Sequence, residues 1–118
     1  MKALSEFTAV YLHRDPVDGR KAMNGLSEIV EQAQMGDLRS RSLFVFRSKR
    51  RDSIKILYFD KSGFALWQKR LEQEKFPWPQ KHTESVVGLT SLQLQWLLDG
   101  YDVWKMKPFS EFHFSRVS

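Results

Sequence analysis

The sequence predicts an α+β fold, a small antiparallel sheet containing a basic β-hairpin, with about three helices packed on one face. Three observations carry that expectation. Two apolar runs rich in β-branched and aromatic residues, Leu43–Phe46 and Ile54–Phe59, flank the polar stretch Arg47–Ser53, which is the pattern of a hairpin. A second pattern is the stripe Met23, Leu26, Ile29, Val30 and Ala33, whose three- and four-residue spacing belongs to a helix. The third is Thr90 ahead of Leu92, Leu94, Trp96, Leu97 and Leu98, a capped helix stopped by Gly100.

Taken in order, residues 7 to 12 (FTAVYL) read as a short strand. Asp15-Pro16-Val17-Asp18 then reads as a helix start, with Asp15 as the cap, Pro16 at the first helical position and Asp18 three residues on. The helix is expected to run to about Gln34, with Gly36 as its stop. Arg20 and Lys21 fall in its first turn, where cations oppose the helix dipole. After the hairpin, Asp60-Lys61-Ser62-Gly63 is a tight turn. Phe64, Trp67 and Leu71 follow at helical spacing, so a short helix from Gly63 or Phe64 to about Gln73 is expected, with a strand as the competing reading. Phe76-Pro77-Trp78-Pro79 is a stiff extended link whose aromatic pair closes over the edge of the core. Gln80 to Ser85 is polar and reads as a loop, Val86–Leu89 as a short strand, and Trp104 as part of an extended segment. Residues 1–104 thus form one expected domain, and 105–118 an aromatic and basic tail with Phe112 and Phe114 alternating.

At 118 residues, with nine Phe and four Trp, the chain can bury a modest core and is not a disordered sequence. The absence of cysteine excludes disulfides, cysteine zinc sites, iron–sulfur clusters and thiol nucleophiles, and fits a cytoplasmic protein. The first residues hold no apolar run of signal-peptide length, and no stretch approaches the roughly 20 apolar residues of a membrane span. His13, His82 and His113 stand far apart without metal-ligand spacing. The six glycines form neither a dinucleotide fingerprint nor a P-loop, and no serine sits in a nucleophile elbow. Asp60 alone has a suggestive position, at a strand end, but a metal-dependent nuclease needs two or three converging carboxylates. A turn-starting role suits it better, so no catalytic residue, metal or cofactor is assigned.

What stands out is charge. From Arg39 to Lys55 seven basic residues face one acid, Asp52, so the chain's net +5 resides in this stretch and the rest is nearly neutral. A compact cationic turn on a two-stranded arm suits a polyanion, although a solvated hairpin tip would look the same. Arg20, Lys21, Arg47, Lys49, Arg50, Arg51, Lys69 and Arg70 are the candidate phosphate contacts.

Several blocks carry a resemblance. Val10-Tyr11-Leu12, then Pro16-Val17-Asp18 with Arg20-Lys21, then Gly25-Leu26 form the first; LFVFR (43–47) with KRRD (49–52) and IKILY (54–58) the second. Asp60, GFALW (63–67), Lys69-Arg70-Leu71-Glu72, Phe76, Trp78-Pro79, Leu89-Thr90 and Leu97-Leu98-Asp99-Gly100 complete it. Together, over about residues 9 to 104, they resemble the small second-frame proteins, labelled TnpB, of the sixty-six family of bacterial insertion sequences. This chain departs from the family pattern with Gly19 for Met, Ala22 for Gly and Phe59 for Trp. The resemblance implies a non-catalytic accessory protein of transposition, encoded beside a larger transposase that holds the acidic catalytic site. Its expected partners are DNA, bound through the basic hairpin, and that transposase, with no membrane partner. The alternative is a protein-interaction module that docks the transposase without touching DNA.

Overall fold

The computed structural model describes residues 3–79 and 84–105. A single 3₁₀ turn at Leu4–Glu6 leads into strand β1 (Ala9–His13), helix α1 (Met23–Gln32), strands β2 (Ser42–Arg47), β3 (Ser53–Asp60), β4 (Gly63–Arg70) and β5 (Val86–Leu89), and helix α2 (Ser91–Leu98). The five strands form one sheet in the order β4-β3-β2-β1-β5. The fold class is α+β as expected, but the sheet is mixed. β1 and β2 run parallel, joined by a crossover through α1, while every other neighbouring pair is antiparallel.

The helices do not share one face. β2 reads SLFVFR and is buried from Ser42 to Phe46. Its side chains alternate, so Leu43 and Val45 point to one side and Phe44 and Phe46 to the other. On the first side they meet Val10, Leu12, Ile54 and Ile56 of the flanking strands, covered by Leu94, Leu97 and Leu98 of α2 and by Phe76 and Trp78. On the second they meet Leu57, covered by Leu26 and Val30 of α1 with Val17 and Met35. A strand whose consecutive residues are all apolar needs cover on both faces, and one helix supplies each.

Among the described residues two α-helices form, not three. The segment read as a helix over 63–73 is β4, paired residue for residue with β3 from Ser53↔Arg70 to Asp60↔Gly63. Phe64 and Leu66 pack towards α1, whereas Ala65, Trp67 and Leu71 pack towards α2. The three-and-four spacing of Phe64, Trp67 and Leu71 therefore coexists with a period of two, and pairing with β3 decides between them.

α1 begins eight residues after Asp15, and neither Asp15 nor Asp18 caps it. Its N-cap is Ala22, without a side-chain hydrogen bond. The intervening chain is drawn to the sheet: Val17 is buried, and its N–H donates to the Arg47 carbonyl at 3.0 Å. At the other end the left-handed residue is Gln34, φ +53°, two positions ahead of Gly36. α2 matches its expected cap. The Thr90 hydroxyl accepts from Gln93 N at 3.1 Å, and the Gln93 side chain accepts from Thr90 N at 2.9 Å.

Phe76 and Trp78 are buried as expected, with Trp78 Nε1 donating to the Arg14 carbonyl. Trp104 lies in a turn tied to Asp102, not in an extended run, and its Nε1 donates to the Pro77 carbonyl. Residues 80–83 of the expected loop and Phe112 and Phe114 of the tail lie outside the described residues.

Two substitutions separate core from cap. Phe44→Ala removes a fully buried ring beneath α1 and should cost about 3–5 kcal/mol in urea unfolding. Thr90→Ala removes only the cap of α2 and should cost about 1 kcal/mol.

Candidate functional site

The basic hairpin is β2 and β3, but it is not a free arm. β3 is paired along its whole length with β4, so the turn 48–52 sits at one end of a five-stranded sheet. The turn is fastened on both sides. Ser48 N donates to the Ser53 carbonyl, the Ser48 hydroxyl donates to Asp52 Oδ1 at 2.9 Å, and Ser53 N donates back to Ser48 Oγ at 3.1 Å. Leu71 N and Phe76 N donate to the Asp52 and Arg51 carbonyls, both at 2.7 Å, so the chain after β4 braces the tip. Arg51 adopts a left-handed backbone, φ +61°, which closes the turn.

On this braced tip Lys49 and Arg50 are exposed, and Arg51 is half-buried. Arg47 is half-buried behind them and donates from Nε to the Arg14 carbonyl at 3.1 Å. Burial pushes its guanidinium below the usual arginine range, with Arg51 nearby adding to that shift. Arg70 arrives at the same place because β4 pairs it with Ser53. None of these five cations lies within ion-pair distance of a carboxylate among the described residues.

The other three expected contacts are set differently. Arg20 is held by Asp18, Nη2 to Oδ2 at 2.8 Å and Nε to Oδ1 at 3.1 Å, and this pair keeps the Asp18 carboxyl far below the usual carboxylate range. Lys69 points to the α2 face and donates to the Leu98 carbonyl at 2.8 Å, closing the C-terminus of that helix. Lys21 is half-buried at the approach to α1. The charge that is contiguous in sequence is also divided in space. Arg39 and Arg41 precede β2 and Arg47 ends it, so the two groups stand roughly 20 Å apart at 3.3 Å per residue.

Lys55 is the residue sequence reasoning left out of the site. It lies between Ile54 and Ile56, and this alternation turns it towards α1. Its Nζ donates to the Gly19 and Lys21 carbonyls, each at 2.7 Å, and so staples the approach of α1 to the sheet. A cleft of about 190 Å³ opens beside it, lined by Val17, Phe46, Ser48, Gln68 and Arg70 among others. At Gly19 a Cβ would meet nothing within 4 Å, so this position has room for a side chain.

Residues 8–108 match the family model described as IS66 Orf2 like protein. The chain belongs to the IS66 Orf2-like family. Membership ties it to insertion sequences and to an accessory part in their transposition. Among similar proteins, the uncharacterized protein y4jC of Sinorhizobium fredii is 36% identical over 92 residues, 78% of each chain. The uncharacterized protein y4hO of the same organism is 34% identical over 64 residues, 54% of each. No solved structure matches the chain. In this IS66 Orf2-like protein no group of three or more metal-ligating side chains converges among the described residues, and no helix there is long and apolar enough to cross a membrane.

The Lys55 staple can be tested directly. Lys55→Met should destabilise the protein by about 1–2 kcal/mol. It should also speed hydrogen exchange at the Val17 and Lys21 amides, while the β2–β3 ladder keeps its protection.

Proposed function

We propose that this IS66 Orf2-like protein serves transposition by binding DNA through the end of the sheet that carries Arg47, Lys49, Arg50, Arg51 and Arg70. One observation carries the reading: five cations stand at one end of the sheet, three of them on a braced turn, and none has a carboxylate partner among the described residues. Such a group meets phosphates at little cost in ordering, because Ser48, Asp52, Leu71 and Phe76 already hold the turn. Phosphate contacts give affinity without reading sequence. Lys49 and Arg50, the most open, make first contact, and Arg70 extends the footprint along β4. Arg20 joins only by exchanging Asp18 for phosphate, and Lys21 and Lys69 lie outside the footprint.

Fluorescence anisotropy with duplex DNA tests this reading. Four phosphate contacts predict that affinity falls about 100-fold between 50 and 200 mM salt. Lys49→Ala with Arg50→Ala should lower the affinity at least tenfold and flatten the salt dependence. Absent or salt-insensitive binding at low ionic strength rejects the reading. In that case a nuclease-treated complex with the element's transposase would identify the same cations as a protein-docking surface.

A further inference from the structure

The opposite end of the sheet carries a second cationic site, separate from the tip and built differently. The segment before β1 and the end of β3 stand on either side of residues 39–41, and a cleft of about 370 Å³ opens there. Its cationic lining is Arg39, Arg41 and Lys61, and its aromatic lining is Phe7 and Phe59. Glu6 is the acid on its wall. The volume falls in the range of small-molecule sites, which run from about 300 to 1,000 Å³.

The surroundings are tied together by hydrogen bonds and ring contacts. Arg41 donates from Nη2 to the Glu6 carbonyl at 2.8 Å, while Thr8 N donates to the Arg41 carbonyl at 2.7 Å. Phe59 packs edge-on against Phe64 with centroids 5.2 Å apart, and Phe7 packs edge-on against Tyr58 at 5.5 Å. Both rings are half-buried, so each is fixed on one side and open on another. Arg39 and Lys61 are exposed, and neither side chain has a hydrogen-bond or ion-pair partner among the described residues. Lys61 stands at the β3–β4 turn with φ +51°.

Half-open aromatic rings beside unpaired cations form the combination that holds single-stranded nucleic acid: bases stack on rings, and the cations follow the backbone. A duplex offers phosphates but keeps its bases stacked away, so rings add nothing to duplex binding. We infer that this cleft takes an unpaired nucleotide of a DNA strand, its base against Phe59 or Phe7 and its phosphates on Arg39 and Lys61. The site shares no residue with the tip, so the inference stands or falls separately from duplex binding there. One molecule then holds a duplex at one end of the sheet and an unpaired strand at the other, roughly 25 Å away along β3.

The probes are a short oligothymidylate, an abasic strand of the same length, and a duplex. The full chain should bind oligothymidylate about tenfold more tightly than the abasic strand. Arg39→Ala with Lys61→Asn, in which asparagine tolerates the left-handed turn, should lose oligothymidylate binding about tenfold and keep duplex binding. Phe59→Leu should erase the preference for bases over abasic strand, with an unchanged melting temperature establishing that the fold is intact. Should that variant melt early, the Arg39/Lys61 variant and the abasic comparison decide the matter alone. Equal binding of thymidylate and abasic strands, or oligothymidylate binding untouched by Arg39→Ala with Lys61→Asn, overturns the inference. Loss of duplex binding in Lys49→Ala with Arg50→Ala, with oligothymidylate binding retained, supports two separate sites.

Discussion

Burial of β2 on both faces is the constraint on which the structure rests. Leu43, Phe44, Val45 and Phe46 are all fully buried, so neither side of this strand can face water. Each side needs its own cover, and the chain supplies it from opposite directions. α1 reaches one face as the crossover that makes β1 and β2 parallel, and α2 reaches the other after the antiparallel edge strand β5. With β2 fixed at the centre, its two ends become the two places where polar chain must emerge. The cations of residues 39–51 are sorted between those ends by the strand itself.

Much of this was legible in the residues. The hairpin runs, the Thr90 cap, the Phe76–Trp78 closure and the strand at Val86–Leu89 all followed from local chemistry, because each is decided within a few residues. The unbroken LFVF run also held the sign of a doubly covered strand, and expecting helices on one face overlooked it. β4 was harder. Phe64, Leu66 and Trp67 satisfy both periods, and only the neighbouring β3 selects the strand. The late start of α1 was hidden for a similar reason: Asp15 and Pro16 form a sound helix opening, yet the Arg47 carbonyl and the Lys55 amine, both distant in sequence, capture that stretch first.

The candidate site was half legible. Lys49, Arg50 and Arg51 stand where the hairpin reading put them, but on a braced sheet end and not on a free finger. Arg70 joins them because β4 is a strand, since its pairing with Ser53 sets its place. Arg20 and Lys69 were plausible cations with local or long-range engagements that spacing does not reveal, Asp18 in one case and the Leu98 carbonyl in the other. For an accessory protein of transposition, this division of labour separates cations that maintain shape from cations left open to a partner.

That separation has a practical side. Two lysine amines are occupied by backbone carbonyls, Lys55 at the entrance to α1 and Lys69 at the exit of α2. Amine-directed chemical footprinting would find both shielded whether or not any partner is present, and their slow acylation would report the docking of the two helices on the sheet. Within the tip, the reagent's answer about occupancy comes from Lys49.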